Sequence, residues 1–491
     1  MFERSKDCSC TFFKEGVDSK YTICISSACS KHFVGRKYAA ENISQFETIL
    51  KVGLPIASAS TNLFTGQEIN STNTKSLSLE LFPKIFPNIE IQKENFSFMG
   101  YKNPNGGYAT RKNILIISTV SCVNSTVTRF RRYLESLITS GEIKINDIKI
   151  LELKHSSGCG HVADEIDVKS ISNLISGHIK NPNCFGCVIF SLGCEDNQYS
   201  PPDDIKDKVW SLSKRQDFQS EEKEFSNIIE SMKEKITSVN QISRERFPLS
   251  NLKIALQCGG SDGLSGITAN PLVGALSDFF NFNGGTTVLA ETPEISGCRD
   301  WIMSRIKSDK AKKKLINIFN YWDQKSPDFI ANPAPGNFKG GILNIFEKSL
   351  GSALKGGFSE IKKVLNYGEF DNKKVKGLTF MDSPGYDPCS ITGQVSSGAN
   401  LIIFTTGRGS NYENEFVPTI KVASNKHISV FGSEYIDFDA SDFANAEKRN
   451  KLLNSLVNQT LEIASGKKTK GEKLGGVGEI GFVPWQRGST V

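Results

Sequence analysis

Apolar residues along this chain fall in short runs, and the spacing of those runs changes twice. In the first hundred residues, β-prone runs at 21–25 and 49–52 are broken by Ser, Asn and Gly. That pattern predicts a small, mostly β module over 1–82. Between 83 and 107 the breakers cluster (Pro83, Pro87, Pro104, Gly106 and Gly107), which predicts a linker. From residue 108 onward, β-branched runs alternate with helical periodicity. A run at 114–120 precedes a helical stretch at 126–139, and runs at 148–153 and 188–192 flank an amphipathic segment at 166–179. Strands alternating with helices predict parallel α/β units.

Residues 203–246 are densely charged, and 222–239 read as a long exposed helix. This stretch predicts either a boundary or an inserted helical arm. The middle α/β domain then spans 108–250, arm included, and a C-terminal α/β domain spans 251–491. In the latter, strands are expected at 254–257, 286–290, 378–381, 401–405 and 419–423, with helices at 299–322 and 446–464. The expected fold class is therefore α/β, a small β module followed by two α/β domains with largely parallel sheets.

Composition adds exclusions. With 38% hydrophobic and 23% charged residues, the chain is globular rather than disordered. A net charge of +6, without a basic stripe interleaved with aromatics, points away from nucleic acid. The first residues carry no apolar core of a secretory signal, and the apolar runs are too short to span a bilayer. A cytoplasmic protein with reduced thiols is expected from its 12 Cys. No membrane partner is expected, and the oligomeric state is open, a homodimer included.

In open α/β sheets, ligands bind beyond the carboxyl ends of the strands. Here those ends are polar, Gly-rich turns, and four of them carry a Cys: Cys122, Cys159, Cys194 and Cys258. Thiolates are soft ligands suited to iron or zinc. With Glu195 they form the candidate metal set, beside His155 and Asp262. Glu291 and Glu294 follow another strand; Pro293 between them rules out simple helical pairing, and they are candidate ligands or acid/base groups. Arg408, between two glycines, is a candidate carboxylate clamp. Lys421 interrupts an apolar run and is a candidate base; Lys339 and Lys348 are weaker choices.

Cys258-Gly-Gly-Ser-Asp-Gly-Leu-Ser-Gly-Ile-Thr-Ala-Asn-Pro271 resembles the signature of the altronate/galactarate dehydratase family. In the same order come Gly193-Cys-Glu-Asp-Asn-Gln198, Glu291-Thr-Pro-Glu294, Asn332-Pro-Ala-Pro-Gly-Asn337, Glu347-Lys-Ser-Leu-Gly351, Met381-Asp-Ser-Pro-Gly385, Phe404-Thr-Thr-Gly-Arg-Gly409 and Pro418-Thr-Ile-Lys-Val-Ala423. The likeness runs from about Gly53 onward. It implies an SAF-like N-terminal module and a hydro-lyase that converts a sugar acid to a 2-keto-3-deoxy acid. It also implies a divalent metal, typically iron, with manganese or an iron–sulfur cluster as other forms. The chain departs from the family pattern at 67–74, which hold no His, at Lys112 between Arg111 and Asn113, and at 410–414, which are poorer in Gly.

Dehydration of a sugar acid removes a proton beside the carboxylate and expels the neighbouring hydroxyl, so it needs a base, an acid and cationic stabilisation. The expected catalytic groups are His155, Glu291, Glu294 and Lys421. The expected substrate ligands are Asn124, Ser261, Asp262, Asn270, Asn337 and Arg408. Alternatives are a sulfo-lyase acting on sulfolactate, or a sugar-acid-binding homologue with weakened catalysis, suggested by the His-free 67–74 stretch. Gly476, Gly478 and Gly481 fit G-x-G-x-x-G but follow a helix, so no nucleotide site is expected there. Cys184 and Cys187 lead into a strand and read as buried thiols; Cys8, Cys10, Cys24 and Cys29 carry no readable role.

Overall fold

The computed structural model describes residues 36–51, 54–75, 95–159, 165–217, 220–325, 335–371, 375–475 and 482–486, with short strands at 2–4, 11–13 and 23–25 and single residues at 89, 91 and 93. The expected G-x-G-x-x-G stretch at 476–481 lies outside the described residues.

The α/β expectation holds. Near the N-terminus, two three-stranded antiparallel sheets form from Ile23–Ile25, Lys37–Ala39 and Glu68–Ile69, and from Thr48–Lys51, Leu54–Ala59 and Thr74–Lys75. A four-stranded parallel sheet follows, ordered Ile148–Leu153, Lys112–Ser118, Cys184–Ser191, Val209–Lys214. A seven-stranded parallel sheet is ordered Ile361–Leu365, Gly377–Met381, Thr286–Leu289, Lys253–Cys258, Leu401–Thr406, Thr419–Ala423, Phe438–Asp439. Their inner strands are covered on both faces, so Lys112–Ser118 and Leu401–Thr406 are buried at every position.

Both sheets reverse direction of growth once. In the first, the chain steps from Lys112–Ser118 to one neighbour and then to Cys184–Ser191 on the other side. In the second, the reversal lies between Lys253–Cys258 and Leu401–Thr406. Such switch points open a crevice at the strand ends, because the flanking connections leave on opposite faces.

One apolar cluster joins the two sheets: Leu115 and Ile117 from the first, Ala255, Val288 and Ile402 from the second, and Leu174 and Val395 from the helices between. Helix Glu165–Lys180 packs against helix Asp387–Ser396. Gly177 permits that approach, since a Cβ there would lie 2.0 Å from Ser396 Oγ.

Several expectations are corrected. Ser97–Lys102, within the expected linker, is a strand paired with Arg244–Pro248; Phe98 and Tyr101 are buried, and that apolar pairing outweighs the nearby breakers. The 222–239 stretch is no exposed arm. Helix Glu221–Asn240 buries Phe225, Ile228, Ile229, Met232, Ile236 and Val239, an apolar face hidden in the sequence by the charges around it. The expected 299–322 helix is two, Arg299–Ser304 and Asp309–Lys325, interrupted where Arg305 turns in to donate to the Gly356 and Ser359 carbonyls. Among the described residues, no helix is long and apolar enough to cross a membrane.

Candidate active site

At the switch point of the seven-stranded sheet, two strand ends and two helices bring reactive and charged groups together in the interior. Strand Lys253–Cys258 ends at Cys258, which is buried. After strand Thr286–Leu289, Glu291 takes a left-handed backbone, φ 68°, and turns its fully buried carboxylate back toward Cys258. Such a conformation costs a non-glycine residue about 1–3 kcal/mol, and the surroundings must hold it. They do: Gln257 Nε2 donates to Glu291 Oε1 (2.7 Å), the Cys258 N–H donates to Oε2 (3.2 Å), Lys355 Nζ also donates to Oε2, and the Glu291 N–H donates to Ser383 Oγ (2.9 Å).

Helix Ile345–Leu354 supplies the countercharge. Lys348, Ser352 and Lys355 are spaced four and three apart, so they share one face. Lys348 Nζ lies 2.9 Å from Glu294 Oε2 and donates to Ser261 Oγ (2.8 Å) and Cys258 Sγ (3.4 Å). Ser352 Oγ and the Cys258 thiol both donate to Glu294 Oε2, at 3.0 and 2.9 Å. Asp387 completes the group, accepting from Gln257 Nε2 at 2.8 Å.

The electrostatics follow from this packing. Burial pushes Glu291 up to about 8 despite Lys355. At Glu294 burial acts upward too, but Lys348 and Lys355 outweigh it and its pKa is lowered. Burial, reinforced by both glutamates, raises the Cys258 thiol to about 12. Asp387 is pushed up to about 7, mainly by burial. Burial alone would lower Lys348 and Lys355; the thiol and carboxylates around them reverse this, and both are raised. Neither lysine belongs to an exposed ion pair: Lys355 and Glu291 are fully buried, and Lys348 is buried against a Glu294 that is only partly exposed.

Cys258, Glu291 and Glu294 offer ligand atoms within 4.8 Å of one another. One thiol and two carboxylates suit iron or zinc by donor softness. Only with a cation bound would Cys258, Glu291, Glu294 and Asp387 all be ionised, their four negative charges then standing against the two ammoniums and the ion.

Residues 249–490 match the C-terminal domain of the D-galactarate/altronate dehydratases, and residues 100–241 match the second domain of the D-galactarate dehydratase/altronate hydrolase group. An altronate dehydratase of Bacillus subtilis is 34% identical over 450 residues, 89% of each chain. An altronate dehydratase of Escherichia coli is 31% identical over 89% of each chain, and its galactarate dehydratase (L-threo-forming) is 33% identical over 76% of this chain and 74% of its own. The chain belongs to the galactarate/altronate dehydratase family. It is a hydro-lyase, a sugar-acid dehydratase.

Within this dehydratase, the residues singled out in the sequence divide by place. Cys258, Glu291 and Glu294 come together as described. Ser261 joins them through Lys348, and the Ser261 N–H donates to Asn337 Oδ1 (3.0 Å). Arg408 is exposed, its stem against Gly260, at the mouth of the same strand ends. Asp262 and Asn270 lie beside the site but act on the protein. Asp262 accepts from Ser265, Ser424 and Asn425, tying three loops together. Asn270 bridges Thr405 and the Gly351 carbonyl.

Lys421 is buried elsewhere, 3.3 Å from Glu413. His155, Asn124, Glu195, Cys122, Cys159 and Cys194 belong to the end of the four-stranded sheet. His155 commits both ring nitrogens to backbone: Nδ1 accepts from the Ser157 N–H, and Nε2 meets the Ser118 carbonyl. Glu195 spends its carboxylate on Thr119, Leu192 and Gly193.

The sequence reading passed over Lys355, Asp387 and Gln257, and it ranked Lys348 low. A readable signal existed: two lysines seven apart with Ser352 between them, on a helix whose other residues, Glu347 apart, are apolar or small.

The N-terminal sheets also reach this region. Lys37 and Lys51 both pair with Glu347 Oε1, at 2.9 and 2.6 Å, and all three are buried. Burial lowers Lys37 to about 8, and the two lysines, against the upward push of burial, bring Glu347 down to about 2. Glu347 precedes Lys348 in the chain, so one helical turn carries both the module's anchor and the site's cation.

Proposed function

We propose that the protein dehydrates a six-carbon aldonate or aldarate of the altronate or galactarate type to a 2-keto-3-deoxy acid, with a divalent metal held by Cys258, Glu291 and Glu294. The observation that carries this reading is the buried group of three carboxylates, two lysines and a thiol at the sheet's switch point. In it, Arg408 clamps the substrate carboxylate from the mouth of the site. Asp387 removes the proton beside that carboxylate, its pKa near 7 suiting a base at neutral pH. The electron pair moves into a carbon–carbon double bond as the carbon–oxygen bond to the neighbouring hydroxyl breaks. Lys348, hydrogen-bonded to Ser261, protonates the departing hydroxyl, and water leaves. The enol product then tautomerises to the ketone. Lys348 and Lys355 stabilise the negative charge that builds on the substrate, in a site too buried for water to screen it. The metal, when bound, adds Lewis-acid stabilisation of the same charge.

The test is a panel of aldonates, aldarates and sulfolactate, incubated anaerobically with the protein and ferrous or manganous ion. Product is read by mass spectrometry and 2-keto-acid detection. A 2-keto-3-deoxy acid from a six-carbon substrate is expected. Sulfite from sulfolactate would replace this reading with a sulfo-lyase, and binding without turnover across the panel would replace it with a binding protein.

A further inference from the structure

The last described residues, 482–486, form neither helix nor strand, yet each of them is fixed by a partner. Phe482 is buried with its ring edge-on to His155 (centroids 5.6 Å) and His178 (5.0 Å). The Val483 N–H donates to Thr392 Oγ1 (2.9 Å), and the Cys389 thiol donates to the Pro484 carbonyl (3.9 Å). The Tyr367 hydroxyl donates to the Cys389 carbonyl (2.8 Å) and accepts from the Trp485 N–H (3.2 Å). Gln486 Nε2 donates to Ser157 Oγ. The segment therefore starts and ends on the 155–157 loop of the four-stranded sheet. Between those points it crosses the first two turns of helix Asp387–Ser396, the helix that Asp387 opens. The Val483 and Trp485 N–H groups are satisfied by side chains, so the segment adds no rung to either sheet.

Trp485 carries this contact inward. Its indole stacks on that of Trp322, with centroids 5.0 Å apart and planes 10° from parallel. It also packs against both the core of the seven-stranded sheet and the cluster that joins the two sheets. Trp322 Nε1 donates to Asp382 Oδ1 (2.9 Å), and the same oxygen accepts from Thr292 Oγ1 (2.7 Å). Asp382 and Thr292 are both buried. Thr292 lies inside the Glu291–Glu294 turn, and its N–H donates to the Ser383 carbonyl (3.0 Å). Asp382 begins the loop that leads from strand Gly377–Met381 to Asp387. One carboxylate oxygen thus ties together the two loops that present Glu291, Glu294 and Asp387.

We propose that Trp485 is a positioning residue for the dehydration, acting through Trp322 and Asp382 on the Glu291–Glu294 turn and on the loop before Asp387. The left-handed backbone of Glu291, φ 68°, must be imposed by its surroundings. The bonds of its own carboxylate supply one side of that constraint, and the line Thr292–Asp382–Trp322–Trp485 supplies the other. A buried carboxylate cannot replace a lost donor with water, so a shift of Trp322 is passed to Asp382 and from there to both loops. Trp485 belongs to the segment that spans the two sheet ends, so the geometry of the site depends on how one end is docked on the other.

The test compares full-length wild type with Trp485→Ala, Trp485→Phe and Trp322→Phe, and circular dichroism confirms folding. Its kinetic half rests on the dehydration reading above; its hydrogen-exchange half does not. In Trp485→Ala, amide exchange read by mass spectrometry should quicken about tenfold over 290–296 and 382–392, and stay unchanged over strand Lys112–Ser118. On whichever sugar acid the wild type turns over, the same variant should lower kcat about 10–100-fold and leave KM within about twofold. Trp485→Phe, which can still stack, should restore most of both. Trp322→Phe keeps a ring to stack on but lacks the donor to Asp382, and it should lower kcat as Trp485→Ala does. Wild-type exchange over both segments in a folded Trp485→Ala overturns the proposal, whatever the substrate. So does a rise in KM at unchanged kcat, or a fully active Trp322→Phe. If the wild type turns over no sugar acid, the dehydration reading fails by itself and the exchange result alone decides whether Trp485 holds the site.

Discussion

The two parallel sheets end in opposite ways. At the seven-stranded sheet, reactive groups are charged and buried, and each depends on another: Glu291 on Lys355, Glu294 on Lys348, Cys258 on both carboxylates. At the four-stranded sheet, the thiols are exposed, and the groups around them are braced by hydrogen bonds to backbone and hydroxyls. A buried ionic group cannot lose one member without leaving another uncompensated, whereas an exposed thiol on a braced loop is energetically independent. The first end should therefore resist piecemeal substitution and the second should tolerate it.

The largest effect is expected on catalysis at the first end. Asp387→Asn keeps the side chain's shape and an oxygen to accept from Gln257 Nε2, but removes the base. Turnover should fall about 10²–10⁴-fold, with the denaturation midpoint little changed. Because the base works deprotonated, wild-type kcat/KM should rise with pH through about 7, and that limb should vanish in the variant. Retention of the limb would move the base elsewhere.

Next in size is the cost of breaking the ionic group. Lys355→Met leaves Glu291 buried without its cation, and should lower unfolding free energy by about 3–5 kcal/mol in urea titration. Adding Glu291→Gln should recover part of that loss. If the double variant is no more stable than the single, the pair is not coupled as its contact suggests.

A pH effect of about 3 kcal/mol tests the seam between the sheets. His178 is fully buried against Phe416 and Phe482, its Nδ1 on the Leu174 carbonyl, and burial lowers its pKa from 6.5 to about 4. The unfolded chain therefore binds the proton first as pH falls. This contribution is complete above pH 6.5 and is lost progressively down to about pH 4, by about 3 kcal/mol. His178→Gln should flatten the stability profile across that window. An unchanged slope would assign the acid sensitivity to other groups.

Much of this contrast was legible in the sequence, and the parts that were not have physical reasons. The inner strands of both sheets declared themselves because buried parallel strands are nearly continuous apolar runs. The edge strands Ile361–Leu365, Phe438–Asp439 and Val209–Lys214 did not: Lys362 and Lys363 interrupt the first, the second is two residues long, and Ser211, Ser213 and Lys214 break up the third. Cys258, Glu291 and Glu294 were found because they follow strands, where ligand-binding residues collect. Lys355 and Asp387 were missed because they come from helices whose orientation only the tertiary fold decides. The four strand-end cysteines looked equivalent in sequence, yet Cys258 lies on a different sheet from the other three. Strand order, which separates them, is set by packing between distant segments.

The smallest expected effect sharpens the comparison most directly. Cys194→Ser replaces an exposed thiol on a loop held by Glu195 and Asn197, neither of which it touches in replacing sulfur by oxygen. Its unfolding free energy should stay within about 0.5 kcal/mol of wild type. Glu195→Gln is the matched control. It weakens the bonds from Thr119, Leu192 and Gly193 that hold the loop, and should destabilise by about 1–3 kcal/mol. If Cys194→Ser were the more damaging of the two, the thiol would be part of the packing. In that case its exposure could no longer be read as availability to a ligand.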